Sequence, residues 1–255
     1  MNPSEPVRIE ARDNIRVLWL AHGANALDGT LIGALHQAFD GLAAQGGPAV
    51  VVASKHPTVF CPGLDLRRLD GMPRDEFRPF LGRYNALLRR LVTYPGPSVA
   101  AVAGHAIAGG SLLALACDRR VMARSGARLG LSEINIGIPL PAGSIAMLVA
   151  LYPTRSVEQL VLDGDGFGGE RALEIGFVEK LADAGAVFEE ACRLAHRLAT
   201  RPSSAYAASK RFLRHGLAAT MEARDEEEME PFLDQWYSPG TQDRIGALVS
   251  EMRRR

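Results

Sequence analysis

The 255-residue chain has few cysteines, no long apolar run and no excess of charge of either sign. Its three cysteines, Cys61, Cys117 and Cys192, are odd in number and lack paired spacing, so we expect neither a disulfide framework nor a metal site. No apolar run reaches the roughly 18 residues of a membrane-spanning helix, so no membrane association is expected. Lys plus Arg and Asp plus Glu number 29 each, which gives no sign of a nucleic-acid partner.

The amino-terminal segment and the composition predict an ordinary globular protein. Residues 1–6 are polar and lack the apolar stretch of a secretory signal, so we expect a cytoplasmic protein. Hydrophobic residues make up 47% of the chain and charged residues 23%, which is ample apolar material for a core.

Strand-like and helix-like segments alternate along the chain, which predicts an α/β core. Two short strands are expected within residues 7–21, and the apolar runs at 49–53 and 98–103 are typical of buried parallel strands. Amphipathic spacing predicts helices at 31–42, capped by Asp28 or Thr30, and at 77–92, capped by Asp75. We place the core at residues 1–190. Residues 191–255 should form a helical lid or assembly region, with the acidic run 225–228 on a solvated helix face.

Three segments carry the residues most suited to chemistry. Residues 60–66 read FCPGLDL, residues 104–111 read GHAIAGGS, and residues 129–137 read LGLSEINIG. In the second segment, Gly109 and Gly110 precede an apolar helix, whose first amides lack partners and suit an anion or an oxygen that becomes anionic. A glycine pair is equally expected where a helix packs tightly against a strand.

Glu133 stands in an otherwise apolar stretch of the third segment. Strand alternation would expose its carboxylate, whereas burial would raise its pKa and make it a better proton acceptor near neutrality. The residues alone leave both interpretations open. Asp65 and Asp118 are expected to be structural, the first at the start of a helix or in a loop, and the second as a partner at a helix end.

Taken together, the three segments resemble the enoyl-CoA hydratase/isomerase (crotonase) family over nearly the whole chain. Matching pieces are HGANAL at residues 22–27, ALACD at 114–118, ALEIGFV at 172–178 and ASK at 208–210. The resemblance implies a spiral of strand–strand–helix units with a helical carboxyl-terminal region. It also implies an acyl-CoA thioester as substrate, no cofactor other than the coenzyme A of that substrate, and a homotrimer or hexamer.

The resemblance also assigns site residues. It implies that the backbone amides of Leu64 and Gly109 form an oxyanion hole for the thioester carbonyl, and that Glu133 transfers protons. Further substrate-binding positions that it implies are His22, Ala24, Ala26, Leu27, Gly63, Asp65, Leu66, Gly110, Leu112 and Pro141.

Leu112 is the main departure from the hydratases of this family, which resemble the chain but carry a first catalytic glutamate at that position. The pattern is closer to the 3-enoyl-CoA to 2-enoyl-CoA isomerases, which share the Gly-Leu-Asp-Leu stretch, the leucine at 112 and the proline at 141. In their mechanism, one carboxylate moves a proton from C2 to C4. The alternatives are hydration or another crotonase reaction such as decarboxylation, and a non-catalytic acyl-CoA-binding subunit.

Overall fold

Two β-sheets form the centre of the structure, a computed structural model that describes residues 5–254. The interpretation of residues 1–4 as part of a polar, signal-free terminus lies outside the described residues. The strands, in chain order, are β1 (Val7–Arg12), β2 (Ile15–Leu20), β3 (Ala49–Ser54), β4 (Val59–Cys61), β5 (Ser98–Val102), β6 (His105–Ile107), β7 (Arg119–Ala123), β8 (Leu129–Gly130), β9 (Gly166–Phe167) and β10 (Lys180–Ala182).

Helices cover the sheets and make up most of the last quarter of the described chain. They are α1 (Gly29–Ala44), α2 (Leu66–Leu69), α3 (Arg74–Thr93), α4 (Gly109–Leu115), α5 (Ala142–Leu151), α6 (Thr154–Leu162), α7 (Gly169–Glu174), α8 (Val187–Ala199), α9 (Ser203–Leu213), α10 (Leu217–Glu227), α11 (Met229–Trp236) and α12 (Pro239–Arg254). Short 3₁₀ turns lie at Glu133–Ile136 and Ala184–Ala186. None of these helices is long and apolar enough to cross a membrane.

The larger sheet has the order β1-β2-β3-β5-β7-β10 and the smaller sheet the order β4-β6-β8-β9. Three successive units each place one strand in the larger sheet, one in the smaller sheet, and then a helix: β3-β4-α3, β5-β6-α4 and β7-β8-α5. The expected α/β spiral of strand–strand–helix units is therefore confirmed. The strands of the smaller sheet escaped prediction because two or three residues are too few to show a period.

This winding positions the three segments of interest. Strands β4, β6 and β8 are neighbours and run parallel, so their carboxyl ends lie at the same edge of the smaller sheet. Leu64 follows the end of β4 by three residues, Gly109 follows β6 by two, and Glu133 follows β8 by three. The predicted division at residue 190 falls inside α8, whose residues pack on the larger sheet, and it stays a prediction.

The predicted N-cap residue of α1 is confirmed, and that of α3 is wrong. The Oδ1 atom of Asp28 accepts a hydrogen bond from the amide of Leu31 at 2.8 Å, as expected of an N-cap. Helix α3 instead begins after Pro73, which offers no side-chain cap, and Asp75 lies inside the first turn. There its negative charge meets the positive end of the helix dipole, a different way of stabilising the same turn.

The expectation of a solvated acidic face is wrong for Asp225, which is only 7% exposed. Its Oδ1 atom accepts from the amide of Gly143 at 2.8 Å, and Arg89 Nη1 donates to its Oδ2 atom at 3.2 Å. A Cβ atom on Gly143 would stand 2.5 Å from Oδ2, so only glycine allows this approach. The buried carboxylate ties α10 to both α5 and α3, a tertiary contact that a run of four acids does not reveal.

Asp118 is a structural partner at a helix end, as expected. Its Oδ2 atom accepts from Lys210 Nζ at 2.7 Å and from the amide of Ser98 at 2.9 Å. Arg214 Nη2 lies 3.5 Å from the other carboxylate oxygen. The group joins α9 to the end of α4 and the start of β5, and both members of the Asp118–Lys210 pair are buried.

We predict that Asp118→Ala lowers the free energy of unfolding by about 3–5 kcal/mol, because it leaves a buried ammonium without its counter-ion. Urea titration followed by circular dichroism measures the change. Asp183→Ala, at an exposed position with no side-chain cap, is the control and should stay within about 0.5 kcal/mol of the parent. A loss below about 1 kcal/mol at Asp118 would contradict the role given to this ion pair.

Candidate functional site

A single residue, Ala108, makes the turn from β6 into α4. Its backbone adopts φ +50° and ψ −129°, a conformation that side-chain-bearing residues rarely occupy. Its amide donates to Gly130 O at 2.8 Å, and its carbonyl accepts from the amides of Ser111 and Leu112. The turn leaves the next amide, that of Gly109, without a protein acceptor within residues 5–254.

The glycine pair also serves close packing. A Cβ atom on Gly110 would lie 2.0 Å from the carbonyl oxygen of Cys61, and one on Gly109 would lie 2.8 Å from Tyr84 Oη. Both glycines therefore let α4 approach β4 and α3, which confirms the packing interpretation. The unpartnered Gly109 amide exists in addition to this packing.

Leu64 presents its amide next to this turn. It forms an isolated parallel bridge with Leu27, in which Leu27 donates to Gly63 O at 2.8 Å and accepts from the amide of Asp65 at 3.1 Å. Since Leu27 makes both bonds to the flanking residues, the amide of Leu64 points to the other side of the strand. A Cβ atom on Gly63, at φ +96°, would lie 3.1 Å from Gly109 N, so the two turns are adjacent.

Glu133 begins a 3₁₀ turn after β8, so strand alternation does not apply to it. Its Oε2 atom is buried and has no hydrogen-bond partner in the described part of the chain. Burial raises the pKa of Glu133 to about 7, partly opposed by the nearby amides of Glu133 and Ser132. The side chain as a whole is half-buried, but its Oε2 atom is shielded from solvent, so the structure favours the interpretation in which burial raises the pKa of Glu133.

The Ser111 hydroxyl connects the first turn of α4 to the segment that carries Glu133. Its Oγ atom lies 2.6 Å from Ala106 O and 2.9 Å from Gly130 O, and it accepts from the Gly130 amide at 3.0 Å. The hydroxyl is thus fully used within the fold. It holds β6, β8 and α4 in one arrangement, and with them the spacing between Gly109 and Glu133.

Tyr84 is a site residue that sequence reasoning missed. Its hydroxyl donates to Gly109 O at 3.0 Å. Burial, and then the neighbouring negative charge of Glu133, hold the pKa of Tyr84 well above its ordinary value, so the phenol stays neutral. In the sequence, Tyr84 is one of many residues on the apolar face of α3, and helical spacing does not distinguish it from the others.

Glu133 lines a cavity of about 1270 Å³ whose walls come from residues 131–140, from α5, α6, α10 and α11, and from the end of α9. Leu112 is buried in α4 and is not part of that lining, and Pro141 is the N-cap of α5 beside it. A second cavity, of about 680 Å³, is lined by Leu27 and Asp65 together with charged residues including Arg68. The predicted coenzyme A segments therefore border a cavity other than the one beside Glu133.

The remaining predicted residues lie along the loops around that second cavity. His22 places Nε2 3.0 Å from Asp28 Oδ2, and Asp65 caps α2 through the amide of Arg67, as expected of a helix start. The other three residues lie in or next to these loops: Ala24 is exposed, and Ala26 and Leu66 are half-buried.

Comparison with known proteins identifies relatives over most of the chain. Residues 11–239 match the family model described as enoyl-CoA hydratase/isomerase. A putative enoyl-CoA hydratase of Thermus thermophilus is 35% identical over 193 residues, which is 74% of this chain and 75% of that protein. The apo structure of a Mycobacterium tuberculosis enoyl-CoA isomerase is 28% identical with a TM-score of 0.82, covering 90% of this chain and all of that one.

Two further matches show how far the similarity to known proteins extends. Human mitochondrial delta3-delta2-enoyl-CoA isomerase superposes with a TM-score of 0.89 over 98% of both chains at 22% identity, which shows a shared fold. The match to mammalian mitochondrial hydratases covers 59–64% of the length of those proteins.

We predict that Gly109→Ala destabilises the protein by about 1–3 kcal/mol, because its Cβ atom would meet Tyr84 Oη. Tyr84→Phe alone should cost about 1 kcal/mol through the lost hydrogen bond. The Gly109→Ala/Tyr84→Phe double variant lacks the phenolic oxygen that the new Cβ atom would meet. Its destabilisation should therefore be smaller than the sum of the losses of the two single variants. Gly82→Ala, in open space on α3, is the control and should stabilise slightly. Strict additivity in urea unfolding, within about 0.5 kcal/mol, would contradict the proposed contact.

Proposed function

The chain belongs to the enoyl-CoA hydratase/isomerase family, and on that premise we propose that it is an acyl-CoA enzyme that shifts the double bond of a 3-enoyl-CoA to position 2. One observation carries the choice of reaction. Glu133 has a buried Oε2 atom and a pKa of about 7. Position 112, which holds the first catalytic glutamate in family hydratases, is a buried leucine here.

In the proposed reaction, the thioester carbonyl oxygen accepts hydrogen bonds from the amides of Leu64 and Gly109. The Glu133 carboxylate removes a proton from C2, and the electron pair moves onto the thioester oxygen to give a dienolate. Protonated Glu133 then returns the proton to C4, which leaves the conjugated 2-enoyl thioester. Losing one of the two amide donors typically raises such a barrier by about 3 kcal/mol.

The environment of Glu133 supports a single proton shuttle. A group with a pKa near the working pH both takes up and releases a proton with little penalty. Its Oε2 atom has no partner in the described chain and is free to accept a proton. The apolar walls beside it disfavour water, which would otherwise compete for the intermediate.

Hydration is the second candidate, because sequence relatives with 27–35% identity bear hydratase names. The Mycobacterium tuberculosis protein is itself described both as an isomerase and as a probable hydratase. A non-catalytic acyl-CoA-binding subunit is the third candidate. With each of these functions we propose a homotrimer or hexamer in the cytoplasm, with coenzyme A along residues 22–27 and 64–66.

To test the function, the purified protein is mixed with 3-hexenoyl-CoA and absorbance of the conjugated 2-enoyl thioester is followed, with hydration of 2-hexenoyl-CoA measured in parallel. We expect conjugation without hydration. Glu133→Gln should lower kcat about a hundredfold or more, because it removes the proton shuttle, while binding of a saturated acyl-CoA persists.

Glu228→Gln is the matched control, since Glu228 lines the same cavity from an exposed position. It should change kcat less than about twofold, as a solvated carboxylate away from the reacting atoms. Hydration without conjugation would favour the hydratase. Binding without either reaction, in parent and variants alike, would favour the binding subunit.

Stability should depend on pH through Glu133. The pKa of Glu133 in the folded protein lies above its unfolded value of 4.5, so the folded state binds the proton more tightly than the unfolded state does. The free energy of unfolding is therefore highest below pH 4.5 and falls as the pH rises toward 7. Replacing Glu133 by glutamine removes this loss. The stability of Glu133→Gln relative to the parent should therefore be about 2 kcal/mol more favourable at pH 8 than at pH 5. An equal difference at both pH values, measured by urea unfolding, would show that the carboxylate is not buried.

A further inference from the structure

The cavity beside Glu133 is larger than a short acyl chain can fill. Its volume of about 1270 Å³ exceeds the roughly 300–1000 Å³ that is usual for small-molecule pockets. Apolar side chains continue from the neighbourhood of Glu133 through α5 to α10; among them are Leu131, Ile138, Leu140, Ile145, Ala146 and Leu217.

The lining stays apolar where the cavity opens to solvent. Val149, Leu162 and Leu213 are 47%, 64% and 84% exposed, and all three line the cavity. A continuous apolar surface of this kind usually marks a place that an apolar ligand or partner covers. The polar side chains of the lining besides Glu133 are His215, Thr220, Arg224, Glu228 and Gln235. All five are exposed, whereas the larger part of the lining is apolar.

The spacing of two cavity walls is set by specific bonds. Asp225 on α10 accepts from the amide of Gly143 in the first turn of α5 and from Arg89 on α3. Helices α5 and α10 also pack directly on each other. Since a buried carboxylate joins these walls, the cavity is a built feature of the fold and not a gap left by loose packing.

Resting on the proposed function, we propose that this cavity holds the acyl tail of the substrate and selects long apolar acyl chains, such as decenoyl and dodecenoyl, over butenoyl. Each methylene that leaves water for the apolar lining should raise kcat/KM about threefold to fourfold. The rise should continue until the chain reaches the exposed end of the cavity.

The test is a chain-length series of 3-butenoyl-, 3-hexenoyl-, 3-decenoyl- and 3-dodecenoyl-CoA, with kcat/KM measured for each. The parent protein should prefer dodecenoyl over hexenoyl by at least tenfold. In Ala146→Trp, an indole fills the cavity from α5, and this preference should fall at least tenfold. Ala219→Trp introduces the same indole on α10 at an exposed position outside the lining and should keep the preference.

A binding measurement separates this inference from the proposed reaction. Thermal-shift titration with saturated dodecanoyl-CoA and butyryl-CoA needs no turnover, and the longer thioester should bind more tightly. Isomerisation with butenoyl as the best substrate would overturn the inference and leave the proposed function standing. Tighter dodecanoyl binding without isomerisation would do the reverse. Equal affinity for both saturated thioesters would overturn the inference whatever the activity.

Discussion

The pairing of three very short parallel strands is the constraint on which the candidate site depends. Strands β4, β6 and β8 lie side by side, so the chain leaves the same sheet edge three times. Two contacts maintain the pairing: Gly110 packs against the carbonyl of Cys61, and the Ser111 hydroxyl bridges β6 and β8. A side chain larger than hydrogen at Gly110 would separate the strands and with them the turns that present Leu64 and Gly109.

Burial of the Glu133 carboxylate raises its pKa and also lowers the stability of the fold when the carboxylate is ionised. A carboxylate without a partner at Oε2 lowers stability once it ionises, yet the same desolvation brings its pKa to about 7. Two other buried carboxylates do have charged partners: Asp118 pairs with Lys210, and Asp225 pairs with Arg89. The contrast is between carboxylates that join elements and one that remains available to a ligand.

Sequence reasoning succeeded where chemistry is encoded in a local pattern and failed where it depends on distant neighbours. The cap at Asp28 and the helix start at Asp65 follow from residues within three positions. Asp225 looked like part of a solvated run, because its partners lie 82 and 136 residues away. Tyr84 was overlooked for the same reason, since its hydroxyl bonds a turn formed much later in the chain.

The sequence by itself determined the alternation of strands and helices and the three segments that carry chemistry, because glycine spacing and apolar runs act over a few residues. The family and its spiral of strand–strand–helix units came from the resemblance of those segments to the crotonase family. The sequence left undecided whether Glu133 is exposed or buried and whether the glycines serve packing. Only the tertiary structure decided these points. Burial, pKa and cavity shape depend on which side chains from α3, α5 and α10 surround a group, and no local pattern specifies that.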